Sequence, residues 1–253
     1  MTEIIILGAG NVGYHLANKL IETPDVKLVQ IYNRNIESIR GFKKTTPITD
    51  NLTHLKKADI YIICVTDEII PQIAKAIKHK EALIVHTSGS TPLDVLNFHT
   101  FYGVFYPLQT FSKNRKINFN TVPICIEVNK PEKLVLLENL GKKISNHVYH
   151  INSEQRKEIH KAAVFVNNFV NHLYYLGEQI CKNSSIDPKI LYPLIRETGK
   201  KIETLTPFEA QTGPARRGDI KTIQNHLNNL QSNNKEIYKL LSQSIADTYG
   251  QKL

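Results

Sequence analysis

Near the start of the chain, Gly8-Ala9-Gly10-Asn11-Val12-Gly13 has the composition and spacing of a loop that holds a diphosphate through its backbone. In such a loop the first glycine permits a tight turn and the second lets the main chain approach the pyrophosphate. The third lets the following helix pack closely on the strand. The N–H groups and positive dipole end of that helix then face the phosphates. Further on, Ile31-Tyr32-Asn33-Arg34-Asn35 contains no acid, where an NAD-type site places a carboxylate against the ribose 2′-hydroxyl. A neutral amide followed by arginine suits a 2′-phosphate, because a guanidinium grips phosphate oxygens in a fork. The expected cofactor is therefore NADP(H), held by Gly8, Gly10, Asn11, Val12, Gly13, Asn33 and Arg34. Arg40 and Lys43 lie near enough in sequence to add charge. The other reading of Arg34 is an ordinary solvated loop arginine.

Several further residues could border a ligand. Thr66 follows an apolar run and is expected beside the cofactor, with Asp67 read chiefly as the cap of the next helix. The segment His86-Thr87-Ser88-Gly89-Ser90 either touches nicotinamide or substrate, through Ser88 above all, or is simply a Ser/Gly turn. Packing accounts for most of Gly103 to Phe111. Farther along, His160, Val164, Asn167 and Asn171 recur at steps of four, three and four and would share one helix face. Histidine exchanges protons near neutral pH, so His160, Asn167 and Asn171 are the catalytic candidates. Ile159, Ala162, Val166, Phe169, Val170 and Leu173 form an opposing apolar stripe that reads as core. Finally, Arg216 and Arg217, set in a Gly-Pro loop before Asp219, could anchor an anionic substrate or face water.

These residues need elements to position them. Glu3 to Leu7 is a short β-branched run ending in glycine, which reads as a buried parallel strand. A helical pattern follows from about 12 to 22, stopped by Pro24. Further strands are expected at 26–32, 58–65 and 82–86, with a helix carrying Ile69, Ile73 and Ile77 between the last two. Apolar runs at 102–106, 122–128 and 147–151 extend the sheet. Strands alternating with helices at this spacing imply a doubly wound, parallel α/β sheet of Rossmann type. After Ile151 the texture turns helical. Ser153 reads as the cap of a helix running to about Lys182, and further helices are expected from Asp187-Pro188 onward, at 219–230 and at 232–249. The expected organisation is a Rossmann domain over 1–150 and a smaller all-α domain over 151–253.

Composition narrows the function classes. The formal charge is +9, but the lysines and arginines are scattered rather than gathered into a tract, so no nucleic-acid partner is expected. No apolar stretch approaches the roughly 20 residues of a membrane helix, and the N-terminus has no signal-peptide pattern. The three cysteines, Cys64, Cys125 and Cys181, are far apart. That spacing reads as free thiols in a reducing cytoplasm rather than as metal ligands.

Taken together, the glycine loop, Asn33-Arg34, His86–Ser90, Pro107–Phe111, the His160…Asn167-Asn168 helix and Gly213-Pro214…Arg217-Gly218-Asp219 resemble one two-domain family. It joins a Rossmann-like domain to a helical domain of unknown function (number 2520), and its members carry the label of NADP oxidoreductases of the deazaflavin-coenzyme-dependent type. The resemblance implies a helical domain like those of 6-phosphogluconate dehydrogenase, ketopantoate reductase and pyrroline-5-carboxylate reductase, through which such proteins often form homodimers. It also exposes a departure. In β-hydroxyacid dehydrogenases and ketopantoate reductase a catalytic lysine stands one helical turn before an asparagine. Here that position holds Ala163 or Val164. The function expected is an NADP(H)-dependent oxidoreductase reducing a small carbonyl or imine in the cleft between the domains, with His160 in place of the lysine. The alternative is a non-catalytic NADP(H)-binding sensor or scaffold.

Overall fold

The run Ile4-Ile5-Ile6 becomes the middle of a sheet because both its faces are covered: all three side chains are fully buried. The structure, a computed structural model, describes residues 1–253. In chain order the first elements are β1 (Thr2–Leu7), α1 (Asn11–Ile21), β2 (Val26–Tyr32), β3 (Ile48–Thr49), β4 (Ile60–Ile63) and α2 (Ile70–Lys75). They are followed by β5 (Leu83–His86), β6 (Phe101–Pro107), β7 (Ile124–Val128), α3 (Leu134–Ile144), β8 (Val148–His150) and α4 (Ser153–Ala163).

The eight strands lie in the order β3-β2-β1-β4-β5-β6-β7-β8. Chain order reverses between β1 and β4, so a crevice opens at their carboxyl ends, which is where α/β sheets bind ligands. Alternate side chains feed two cores. Ile4 and Ile6 pack with Leu16, Ala17 and Leu20 of α1 and Leu137, Leu140 and Ile144 of α3. Ile5 and Leu7 pack with Ile70, Ile73 and Ala74 of α2. The expected α/β sheet is thus present, with one departure from uniformly parallel pairing. β7 runs antiparallel to β6, because residues 108–123 carry only a single turn of 3₁₀ helix, Phe119–Thr121, and no crossover helix to return the chain.

At the end of the sheet a buried ion pair fastens α4. Arg156, 1% exposed, donates to Glu127 of β7 through Nη1. Its Nη2 donates to the Thr91 carbonyl at 2.7 Å and to Ser153 Oγ at 3.3 Å. Glu127 also accepts from Ser153 N at 2.9 Å and Ser153 Oγ at 2.8 Å. Ser153 is therefore not the helix cap. Asn152 is, in a capping box with Gln155, because Ser153 is spent on the carboxylate.

Contacts divide the chain into two compact units, Met1–Asn167 and Asn168–Leu253. The division falls within a π-helical turn, Val164–Phe169, that follows α4. The second unit holds α5 (Val170–Asn183), α6 (Tyr192–Lys201), α7 (Pro207–Ala210), α8 (Pro214–Arg217), α9 (Ile220–Asn229) and α10 (Ser232–Thr248). Asp187 caps the turn at Pro188 as expected, accepting from Lys189 N, and Asp219 also forms a cap, accepting from Thr222 N. The apolar stripe differs from expectation. Val166 is 74% exposed, Phe169 50% and Leu173 39%.

Removing one partner of a buried pair strands the other charge. Glu127→Ala is expected to destabilise the protein by about 3–5 kcal/mol in urea unfolding. A loss below about 1 kcal/mol would show that the pair does not hold α4 to the sheet.

Candidate functional site

The glycine loop sits at the carboxyl end of β1, beside the β1–β4 switch point. Gly8 has φ +100°, and a Cβ there would lie 2.7 Å from the Cys64 carbonyl oxygen. At Gly13 a Cβ would fall 2.0 Å from the Gly8 carbonyl oxygen, so only glycine lets α1 seat on the turn. Above Gly10 there is no atom within 4 Å of an added Cβ. That is the open space a diphosphate approaching the backbone requires. No side chain caps α1 and no acid stands in its first turn, so the helix N-terminus keeps its positive end for an anion. Asn11 is exposed and Val12 half-buried at the same turn.

The end of β2 braces this loop. Tyr32 accepts from Gly8 N at 2.8 Å, and Asn33 Oδ1 accepts from Ala9 N at 3.0 Å. Asn33 Nδ2 donates to the Asn35 carbonyl at 3.0 Å and to Ser38 Oγ at 2.7 Å. The amide of Asn33 is therefore engaged by protein. Of the pair read from sequence, Arg34 is the residue with donors to spare: it is exposed and forms no ion pair, whereas Arg40 is paired with Glu37 at 2.8 Å.

A second cluster lies after β4 and β5. Thr66, exposed, precedes a 3₁₀ turn at Asp67–Ile69. Asp67 is inside that turn and does not cap it. Its carboxylate instead accepts from Ser90 Oγ. Burial raises the Asp67 carboxyl, but hydrogen bonds from Ser90, Ser88 and Thr91 and the charge of His86 outweigh it and leave the group lowered. Ser88 Oγ accepts from Ser90 N at 3.2 Å and Thr91 N at 2.9 Å. This is turn chemistry, and it fixes the loop's shape.

The loop's Gly89 lies directly against two rings. A Cβ at Gly89 would meet His160 Nδ1 at 2.5 Å and Tyr106 Cζ at 2.8 Å. Tyr106 Oη is 3.2 Å from His160 Nδ1. Burial, reinforced by Cys125 and opposed by Arg156, pushes the Tyr106 phenol up to about 12. Tyr106 went unread in the sequence because its strand looked like packing. The available signal was its place immediately before Pro107, where the strand ends at the ligand-binding edge. Neither buried thiol competes as a reactive group: burial drives Cys64 up to about 12 and Cys125 to about 11.

Thus the first unit gathers Gly8–Gly13 with Asn33, and Ser88 and Gly89 with His160. Asn167 is that unit's last residue and lies in the π turn. A π turn does not keep α-helical phase, so the four-three-four spacing read from His160 to Asn171 does not by itself place these residues on one face. Asn171 belongs to the second unit, where it lines a cavity of about 350 Å³ with Tyr174, Glu178, Leu191, Tyr192 and Arg196. There too, Arg216 stacks 4.4 Å over the Tyr249 ring, and Arg217 is exposed.

His86, fully buried at the end of β5, reports on this region. Burial, and then the charge of Arg156, pull its pKa down to about 4, against smaller opposite effects of the Pro92 carbonyl and Asp67. Its folded value lies below the ordinary 6.5, so the unfolded chain binds the extra proton first. Stability is full above about pH 6.5 and falls as pH drops toward about 4, by about 3 kcal/mol from this group. Urea unfolding across that window should show the loss, and His86→Asn should lessen it. An equal slope in the variant would assign the loss to other groups.

Residues 3–89 match the family described as NADP oxidoreductase coenzyme F420-dependent. Residues 122–245 match the domain of unknown function DUF2520. A solved structure from Bacteroides fragilis, described provisionally as an NADP oxidoreductase, is 39% identical over 97% of this chain and 98% of its own, with a TM-score of 0.89. A protein from Thermotoga maritima shares the fold at 20% identity and a TM-score of 0.82, over 98% of this chain and all of its own. Pyrroline-5-carboxylate reductase 2 of Dictyostelium discoideum is 29% identical over 135 residues, 49% of this chain. That match spans 44% of the reductase, less than half its length. With a backbone cradle at the switch point and a near-complete counterpart in Bacteroides, the chain belongs to the NADP oxidoreductase family that couples an F420-dependent-type Rossmann domain to a DUF2520 helical domain.

Proposed function

We propose that this protein is an NADP(H)-dependent reductase of a small carbonyl or imine compound. The observation that carries the reading is a diphosphate cradle at the same sheet edge as a Tyr106–His160 pair. Gly10, Asn11, Val12 and Gly13 would hold the diphosphate through main-chain N–H groups, with Gly8 shaping the turn and Asn33 bracing it from behind. Arg34 would take the 2′-phosphate. Thr66 and Ser88 would border the cofactor. NADPH, when bound, supplies the hydride. His160 polarises the substrate's double bond and delivers the proton, with Asn167 and Asn171 as orienting groups and Arg216 or Arg217 as anchor for an anionic substrate. The free thiols fit a reducing, cytoplasmic setting.

A second reading, an NADP(H)-binding sensor or scaffold, is favoured by one observation: Ala163 and Val164 stand where a catalytic lysine would be. Binding and turnover measured together separate the two. His160→Ala should leave NADPH affinity unchanged and lower kcat by about 10²–10⁴-fold. Arg34→Ala should weaken NADPH by about 10- to 100-fold and NADH little, as loss of a charged hydrogen bond does. Tight NADPH binding with no turnover across carbonyl and imine panels would establish the sensor. Unchanged turnover in His160→Ala would remove the residue from the mechanism.

The proposed oligomer is a homodimer through the helical unit. Ile190 is 69% exposed, Leu194 64% and Leu240 71%, apolar side chains that a subunit interface would cover. Sedimentation equilibrium should give twice the chain mass, and Leu194→Asp should shift it toward one. A monomer at every concentration would overturn the dimer.

A further inference from the structure

Three segments converge on one hydrogen bond: the loop after β5, the end of β6 and the third turn of α4. Tyr106 stands near the end of β6, opposite Cys125 of β7. Its ring meets the His160 imidazole edge-on, with centroids 6.2 Å apart and planes at 69°. Gly89 backs both rings so closely that no side chain could stand there. The imidazole is thus held in place by its surroundings, and the open question is which ring nitrogen bears the proton.

The phenol answers it. Tyr106 stays protonated because burial pushes it up to about 12. Its oxygen makes no hydrogen bond other than the one to His160 Nδ1, and a half-buried O–H turns toward the acceptor within reach. When Nδ1 accepts, a neutral imidazole carries its proton on Nε2, since the bond made by one nitrogen sets the state of the other. Nε2 engages no protein group and is the atom left for a ligand.

The geometry points to Tyr106 as a positioning residue that fixes His160 in the Nε2–H form, so that the site offers its substrate a hydrogen-bond donor. A donor selects a lone pair. A carbonyl oxygen or an unprotonated imine nitrogen presents one, whereas an iminium N–H is itself a donor and faces the imidazole unfavourably. This narrows the substrate class of the proposed reductase and rests on that reading for its consequence, while the tautomer itself is measurable in the free protein.

The experiment is a long-range ¹H–¹⁵N correlation spectrum of the full chain labelled at histidine nitrogen, recorded without ligand at alkaline pH. His160 is assigned by the signal lost in His160→Gln. We expect the Nε2–H pattern in the native protein and an average of both tautomers in Tyr106→Phe, which keeps the ring. An Nδ1–H pattern in the native protein, or an unchanged pattern in Tyr106→Phe, overturns the inference. Once a substrate is known, Tyr106→Phe should lower kcat by at least about tenfold, the direction seen when a catalytic histidine loses its tautomer, and leave the KM for NADPH unchanged. If the spectra come out as expected and nothing is reduced, only the reductase reading fails.

Discussion

Much of the first unit's ligand edge depends on the burial of Arg156. A guanidinium that is 1% exposed is tolerable only because Glu127, Ser153 and the Thr91 carbonyl meet it. Those partners come from three places: strand β7, the start of α4 and the loop after β5. Satisfying one charge therefore fixes the relative positions of all three. Arg156 and His160 are four residues apart on one helix, so they lie on the same side, one turn from each other. The pair that pins Arg156 to the sheet thereby sets His160 over Gly89. Buried pairs contribute little net stability compared with apolar replacements. The value of this one lies in the placement it enforces. One cost remains visible, since Arg156 Nε and His86 Nε2 are both buried without a hydrogen-bond partner.

The cofactor edge is built on a different principle, with backbone in place of charge. Gly8, Gly13 and Gly89 each lie where a single extra carbon would collide with neighbouring atoms. Two of these contacts draw the chain tight around β1 and α1, and the third brings the loop against the rings of Tyr106 and His160. Asn33 joins them by accepting from Ala9 N, so the end of β2 sets the loop's path and leaves Arg34 outside. A brace and a ligand contact cannot be the same amide, and the adjacent residues divide the two tasks.

What could be read from the sequence follows from how local each signal is. The glycine loop, the strands of the first half and the Asp187 cap depend on neighbours within a few residues, and the fold agrees with them. Ser153 and Asp67 were misread for the opposite reason. Each has a cap-forming side chain at a helix start, yet each is engaged by a residue 26 or 23 positions away. No local pattern carries such a partner. Arg156 carries no local signal of its buried pairing, and Tyr106 is one of several aromatics on a buried strand. The apolar stripe through Val166, Phe169 and Leu173 was legible as apolar, but what covers it is not encoded in periodicity.

The missing lysine bears on how this site handles a proton. A lysine at the expected turn would bring a permanent positive charge unless buried, and an ammonium offers donors without any acceptor. An imidazole held on one side by a phenol presents one directed donor and no net charge when neutral. Such a group polarises a neutral substrate without electrostatic repulsion of the guanidinium already buried at Arg156, whose charge lowers the neighbouring His86. A second fixed cation about two turns along the helix would add to that field. With Arg156 committed to holding the helix, His160 can carry the proton without a second permanent cation on that helix, and Ala163 and Val164 are free to be apolar.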